Sequence, residues 1–145
     1  MSMIIAPITN GIVIDHIEAG KGMQLYHFLG LGDLDCSVAV IKNAGSAKMG
    51  KKDIIKIDAV IEIDMDIIAY LDPGVTVNII RDGKSTKHTD LTPPETITDV
   101  IRCRNPRCIT SVEQDLKQVF RLTDRETRTY RCIYCESKAE VDKRK

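Results

Sequence analysis

Along the first ninety residues, short β-branched apolar runs alternate with stretches of helical period. "NGIVIDHI" is apolar with a polar pair near its end and reads as a strand over about residues 10–17. In "GKGMQLYHFLGLG", Met23, Tyr26 and Leu29, with Phe28 beside them, recur at helical spacing, and Gly30 and Gly32 offer a stop, so the spacing predicts a helix over 21–30. "CSVAVIKN" reads as a second strand and "GSAKMGKKD" as the turn after it. "KKDIIKIDAVIEI" predicts a third strand running to residue 63, and "DMDIIAYLDPG" a short helix capped by Asp64 and ended before Pro73. "VTVNIIRDGKSTKHT" then gives two strands joined at Asp82-Gly83. The order βαββαβ plus one strand predicts an α+β fold: a ferredoxin-like split βαβ sandwich, with one antiparallel sheet and both helices on one face.

The pattern changes at "DLTPPETITDV", which carries Pro93 and Pro94 without an apolar period and reads as a linker between domains at 1–94 and 95–145. Beyond it, "DVIRC", "KQVFRL" and "RTYRCIYC" are short β-type stretches between polar turns, a small all-β unit of zinc-ribbon type. Its apolar residues are few: Val100, Ile101, Ile109, Val112, Leu116, Val119, Phe120 and Leu122 form most of the expected core. A unit this small needs a staple.

Four cysteines offer one. Cys103 and Cys108 are followed after 23 residues by Cys132 and Cys135, a spacing that brings four sulfurs to the corners of a tetrahedron, as a closed structural zinc site requires. A catalytic zinc keeps an open position and usually has His or carboxylate ligands, and none of the three histidines lies in this half. Metal binding then supplies much of the folding free energy of the second domain. Cys36 has no partner at metal spacing and reads as a small core residue.

Charge sharpens the division. Residues 1–100 hold 9 Lys/Arg against 14 Asp/Glu, a net of −5, and residues 101–145 hold 12 against 7, a net of +5. Four thiolates around one zinc ion would remove two of those positive charges, leaving a mildly basic domain of mixed sign rather than the basic stripe of a nucleic-acid binder. "MSMIIAPITN" has no basic leader region, and no stretch reaches the roughly 20 apolar residues that span a bilayer, so the expected location is the cytoplasm, away from membranes.

In "KKDIIKI", strand alternation puts Lys52, Ile54 and Lys56 on one face and Asp53, Ile55 and Ile57 on the other. Two ammonium groups flanking an apolar side chain suit an anion on a flat apolar body, such as a nucleotide. An edge strand guarded by lysines is the competing account. Asp15 and His16, adjacent on a strand, are expected to point to opposite faces and so to form no acid–base dyad. No nucleophile motif or phosphate-cradling glycine loop accompanies them.

"GIVIDHI", "MGKKDIIKI", "TVN" and "CRNPRCI…CIYCE" stand in an order and at separations that make the chain resemble the regulatory chains of aspartate carbamoyltransferase, over nearly its whole length. The resemblance implies a non-catalytic subunit of pyrimidine biosynthesis. Its N-terminal domain would bind ATP, CTP and UTP, alone or with magnesium, and pair with a second copy, and its zinc domain would dock on the catalytic chain. It implies Asp15 and His16 at ribose and phosphates, Lys52 and Lys56 at phosphate and ribose or base, Asn78 and Ile80 lining the pocket, and Ile8, Val13 and Ile54 beside the base. It assigns zinc to Cys103, Cys108, Cys132 and Cys135. After "TVN" the family often carries an aromatic residue and then a phosphate-binding lysine, where this chain has "IIRDGKSTKHTD". His88 falls near the lysine position, and Lys84 or Lys87 could replace it after a register shift. "RNPR" and the last knuckle supply Asn105, Arg107, Tyr134 and Glu136 as the partner surface.

Two other classes remain open at this point: a stand-alone zinc-ribbon protein that binds nucleic acid, marked by tight salt-sensitive binding, and a CxxC redox enzyme, marked by reactive thiols.

Overall fold

The computed structural model of the chain describes residues 9–47 and 49–139. Its first part runs β1 (Gly11–Glu18), α1 (Gly22–Phe28), β2 (Val38–Ser46), β3 (Gly50–Ile57), α2 (Met65–Leu71), β4 (Thr76–Arg81) and β5 (Lys84–His88). These strands form one antiparallel sheet in the order β2-β3-β1-β4-β5. Ile12, Ile14 and Ile17 of β1, Ile55 and Ile57 of β3 and Val77 of β4 are fully buried with Leu25 of α1 and Ile68 of α2. Both helices therefore cover the same side of the sheet, and the α+β split βαβ sandwich is the observed fold. Each such buried side chain contributes about 2 kcal/mol of transfer free energy.

Local chemistry sets the joints. Asp64 Oδ1 accepts the amides of Asp66 and Ile67 at 2.9 and 3.2 Å and starts α2. Asp82 and Gly83, at φ 51° and 79°, make the two-residue turn between β4 and β5 that wants both central residues left-handed. The third strand ends at Ile57 instead of continuing to residue 63. The reason is a shortage of partners: Ile57 already pairs with Ile12 near the start of β1 and with Val38 at the start of β2, the Asp58 amide makes a last bond to the Ser37 carbonyl at 2.9 Å, and the residues from Ala59 to Ile63 cross the sheet end to α2.

β1 departs from strict alternation. Its register against β3 slips between Ile14 and Ile17, and His16 takes φ 59°. This β-bulge inserts one extra residue, so Ile14 and Ile17 both reach the core while Asp15 and His16 both remain half-buried off it. The expectation that these two residues face opposite ways is thereby corrected.

The second part holds β6 (Thr96–Thr98), β7 (Val119–Asp124) and β8 (Thr129–Cys132) in a three-stranded antiparallel sheet. β6 lies inside the stretch read as linker, and "DVIRC" forms no strand. Its core is Ile97, Ile101, Phe120 and Tyr130 with Cys108 and Cys132. Ile109 and Val112, expected in that core, are 52% and 76% exposed. They belong to the short turn after Cys108, whose backbone is committed to closing the knuckle and turns them outward.

The two parts share one apolar core. Tyr70 of α2 meets Tyr130 of β8 edge to face, with ring centroids 4.9 Å apart and an interplanar angle of 87°, and the Tyr130 hydroxyl donates to the Pro94 carbonyl. Burial, with a smaller contribution from Tyr130, pushes the Tyr70 phenol up to about 12. Its neutral form is therefore the one that packs.

Tyr70→Ala should lower unfolding free energy by about 3 kcal/mol, and Tyr70→Phe by much less. Because the folded pKa is raised above 10.0, stability should fall as pH rises from 10 towards 12 in the wild type, and less steeply in Tyr70→Phe. Urea titrations across that pH range measure both effects.

Candidate functional sites on the sheet face and at the cysteine cluster

The sheet side away from the helices carries a single ladder row across all five strands: Ala39 opposite Lys56, Lys56 opposite Val13, Val13 opposite Asn78, and Asn78 opposite Lys87. Directly opposed residues in an antiparallel sheet project to one side, so two lysines flank a floor of Val13 and Asn78. Ile54 and Lys52 share this side of β3, whose other side is the buried Asp53, Ile55 and Ile57. Ile80 continues the floor on β4, opposite Gly11 and Ser85. The Lys52 ammonium lies 2.9 Å from Asp15 Oδ1. Burial alone would raise the Asp15 carboxyl, but the Lys52 hydrogen bond and charge and the His16 amide, 2.6 Å away, hold it below the ordinary 3.8. His16 Nδ1 is 3.2 Å from the Thr76 hydroxyl.

Register separates the three candidate cations after "TVN". Lys87 faces the floor beside Asn78, whereas Lys84 pairs with Arg81 and His88 with the buried Val77, so both lie on the helix side of the sheet. There His88 and Arg81 line a separate groove of about 690 Å³ with Ile63 and Ile79. The structure thus brings Val13, Asp15, His16, Lys52, Ile54, Lys56, Asn78, Ile80 and Lys87 to one face and leaves Lys84 and His88 off it. Ile8 lies outside the described residues.

At the other end, Cys103 and Cys135 sulfurs are 3.5 Å apart and Cys108 and Cys132 sulfurs 3.7 Å, and all four lie within 4.8 Å of one another. A tetrahedral zinc with bonds of about 2.3 Å sets sulfurs about 3.8 Å apart, so the cluster fits that ion. Burial pushes the Cys103 thiol up to about 12, whereas hydrogen bonds from Ser137 and Asn105 outweigh burial at Cys135 and bring it down to about 6, so the sulfurs do not ionise alike by themselves and a divalent cation would let all four bind as thiolates. The knuckle amides of Cys108 and Glu136 donate to the carbonyls of Asn105 and Cys132 at 3.0 and 2.9 Å. The buried Thr110 hydroxyl donates to Cys108 Sγ at 3.1 Å, an outer contact that the cysteine spacing gave no means of finding. Cys135, half-buried, follows β8 and does not open a helix as the reactive thiolate of a redox CxxC pair does.

Of the expected partner-surface residues, Arg107, Tyr134 and Glu136 are exposed and Asn105 is half-buried, its Oδ1 accepting the Arg107 amide at 3.0 Å. Ile109, Val112 and Ile133 are exposed as well, at 52%, 76% and 47%.

A family model described as the aspartate carbamoyltransferase regulatory chain, allosteric domain, matches residues 3–92. A second, the metal binding domain of the same chain, matches residues 95–144. The aspartate carbamoyltransferase regulatory chain of Clostridium botulinum strain Hall is 47% identical over 134 residues, covering 92% of each chain. That of Clostridium tetani is 47% identical over 135 residues, covering 92% of this chain and 94% of its own. That of Bifidobacterium longum is 39% identical over 139 residues, covering 96% and 100%.

Metal chelation, or Cys108→Ala, should abolish amide-exchange protection in β7 and β8 while β1 and β3 stay protected, since the second core is too small to stand without its staple. Hydrogen exchange with and without a chelator checks this, and unchanged protection of β7 and β8 would show the metal to be dispensable.

Proposed function

The chain belongs to the family of aspartate carbamoyltransferase regulatory chains, non-catalytic subunits of that enzyme, and we propose that it binds nucleoside triphosphates on the lysine-flanked sheet face and relays their binding to a catalytic chain through a zinc-bound second domain. The observation that carries this reading is the row Lys56–Val13–Asn78–Lys87, in which two cations bracket an apolar and amide floor. Neither lysine has a carboxylate partner among the described residues. Ammonium groups supply charge-assisted bonds to phosphate oxygens. The Asn78 amide can donate and accept at a base edge, with Val13, Ile54 and Ile80 beneath the ring, and Asp15 is a ready acceptor for ribose hydroxyls. ATP, CTP and UTP are the effectors that fit, with magnesium as counter-ion, and Lys87 is the β5 cation we assign to phosphate.

A nucleotide changes activity elsewhere only by binding two states of the assembly unequally. A packed route exists for such coupling. β4, which bears Asn78, follows α2 closely in sequence, and Tyr70 of α2 abuts Tyr130, two residues before the metal ligand Cys132. Rigid knuckles around zinc would then present Ile109, Val112, Ile133 and Tyr134 as the apolar centre of a docking surface. Asn105, Arg107 and Glu136 would lie beside it, and Arg121, Arg131 and Lys138, which oppose one another across neighbouring strands, would form a cationic rim. Pairing of two first domains is the natural use of the open β2 edge, whose Val38, Val40 and Ile41 are only half-buried. The reading places the protein in the cytoplasm with neither nucleic acid nor membrane as partner.

Calorimetric titration of ATP, CTP and UTP into the zinc-loaded chain should show saturable binding that Lys56→Ala weakens at least about tenfold. No binding by any of the three, in the free chain or in complex with the catalytic chain, would overturn the nucleotide assignment. Separately, Ile133→Asp should weaken association with the catalytic chain at least about tenfold without loss of zinc, because it puts a charge into the apolar centre. Sedimentation with a catalytic subunit reads this directly.

A further inference from the structure

Asp53 is the one carboxylate at 0% exposure among the described residues. It stands in the middle of β3 between Lys52 and Ile54, on the strand face opposite to theirs. No lysine or arginine compensates it within the described structure; three amides do. Gly20 and Gly22 donate to Oδ2 at 3.0 and 2.9 Å, and Asn43 donates to Oδ1 at 3.0 Å. A buried carboxylate is tolerated only when it is hydrogen-bonded in this way.

The donors come from places where regular structure breaks. Gly20 lies in the turn after β1 and Gly22 is the first residue of α1, just beyond Ile17, which faces Asp53 where β1 regains register after its slip. β2 slips between Ile41 and Ala44, where Asn43 takes φ 58°. A bulge leaves an amide without a ladder partner, and the start of α1 leaves amides without helical ones. One carboxylate therefore gathers donors from both sides of β3. The fit is tight on the α1 side: a Cβ at Gly22 would stand 2.8 Å from Asp53 Oδ2, closer than any side chain can sit.

The β1 slip is what places Asp15 and His16 together off the core, and Lys52, the residue next to Asp53, holds Asp15 at 2.9 Å from above. We propose that Asp53 is a positioning residue for the nucleotide face. Its amide-clamped carboxylate ties the β1–α1 turn, through Gly20 and Gly22, and the β2 bulge, through Asn43, to β3, fixing β1 at Ile17 where it regains register after its bulge, so that Lys52, Asp15 and His16 are presented at one spot. Through Asn43, a change at that spot also reaches the open edge strand. The inference rests on the nucleotide reading above.

The test is a double-mutant cycle on the full, metal-loaded chain, with ATP as probe and amide spectra as control. Asp53→Asn keeps the shape but turns an NH2 group towards N–H donors. It should weaken ATP binding at least about tenfold and shift the Gly20, Gly22 and Asn43 amide resonances, leaving zinc content unchanged. In a Lys52→Ala background the same change should cost less than about twofold, because the pair it positions is already gone. Gly22→Ala, which displaces the carboxylate while keeping its charge, should repeat that pattern and serves if Asp53→Asn does not fold. Equal penalties in both backgrounds would reduce Asp53 to general stability and overturn the inference alone. Absence of ATP binding by the wild type, with the amide shifts still produced by Asp53→Asn, would overturn the nucleotide reading beneath it.

Discussion

The structure turns on β1 lying at the centre of the sheet with one residue too many. A central strand must satisfy ladders on both sides, and β1 does so against β3 and β4 while Ile12, Ile14 and Ile17 are driven into the core at 0% exposure. Three isoleucines spaced two and then three apart cannot all face inward on a regular strand. The bulge reconciles them, and its by-product is a pair of polar residues, Asp15 and His16, displayed side by side above the floor. The half-buried polar cluster is thus a consequence of packing demand on the other side of the sheet. The left-handed backbone of His16 is the local strain that this arrangement carries.

From that strand, two kinds of rigidity spread outward. Within the first domain, apolar burial under both helices leaves the opposite sheet face half-open, with Lys56 and Lys87 on either side of the two central strands β1 and β4. In the second domain burial is scarce, and four sulfurs within 4.8 Å of one another supply the organising point that apolar area does not. The two regimes meet where Tyr70 packs against Tyr130. Because an aromatic edge-to-face contact is directional, the orientation of α2 and that of β8, which ends at Cys132, are set together.

The outward turn of Ile109 and Val112 has the same origin as the metal cluster. Residues after Cys108 must fold back to close a knuckle, and that turn points Thr110 inward to Cys108 Sγ and Ile109 and Val112 outward. Two large apolar side chains are therefore left on the surface of the second domain.

Element order of the first part, the antiparallel sheet, the Asp64 cap and the four-cysteine cluster were legible in the residues because each depends on local pattern: side-chain period, a capping oxygen, a cysteine spacing. Lys52 and Lys56 on one face with Asp53 behind them followed from alternation alone. What local pattern could not reach was anything set by which strand lies beside which. The end of β3 at Ile57, the hidden β6, the bulge that puts Asp15 and His16 together, which of Lys84, Lys87 and His88 shares a sheet face with Lys56, and the gathering of distant amides by Asp53 all depend on inter-strand register. Register is a long-range property: one residue of slip moves every side chain to the other face of a sheet, and only the packed tertiary structure decides it.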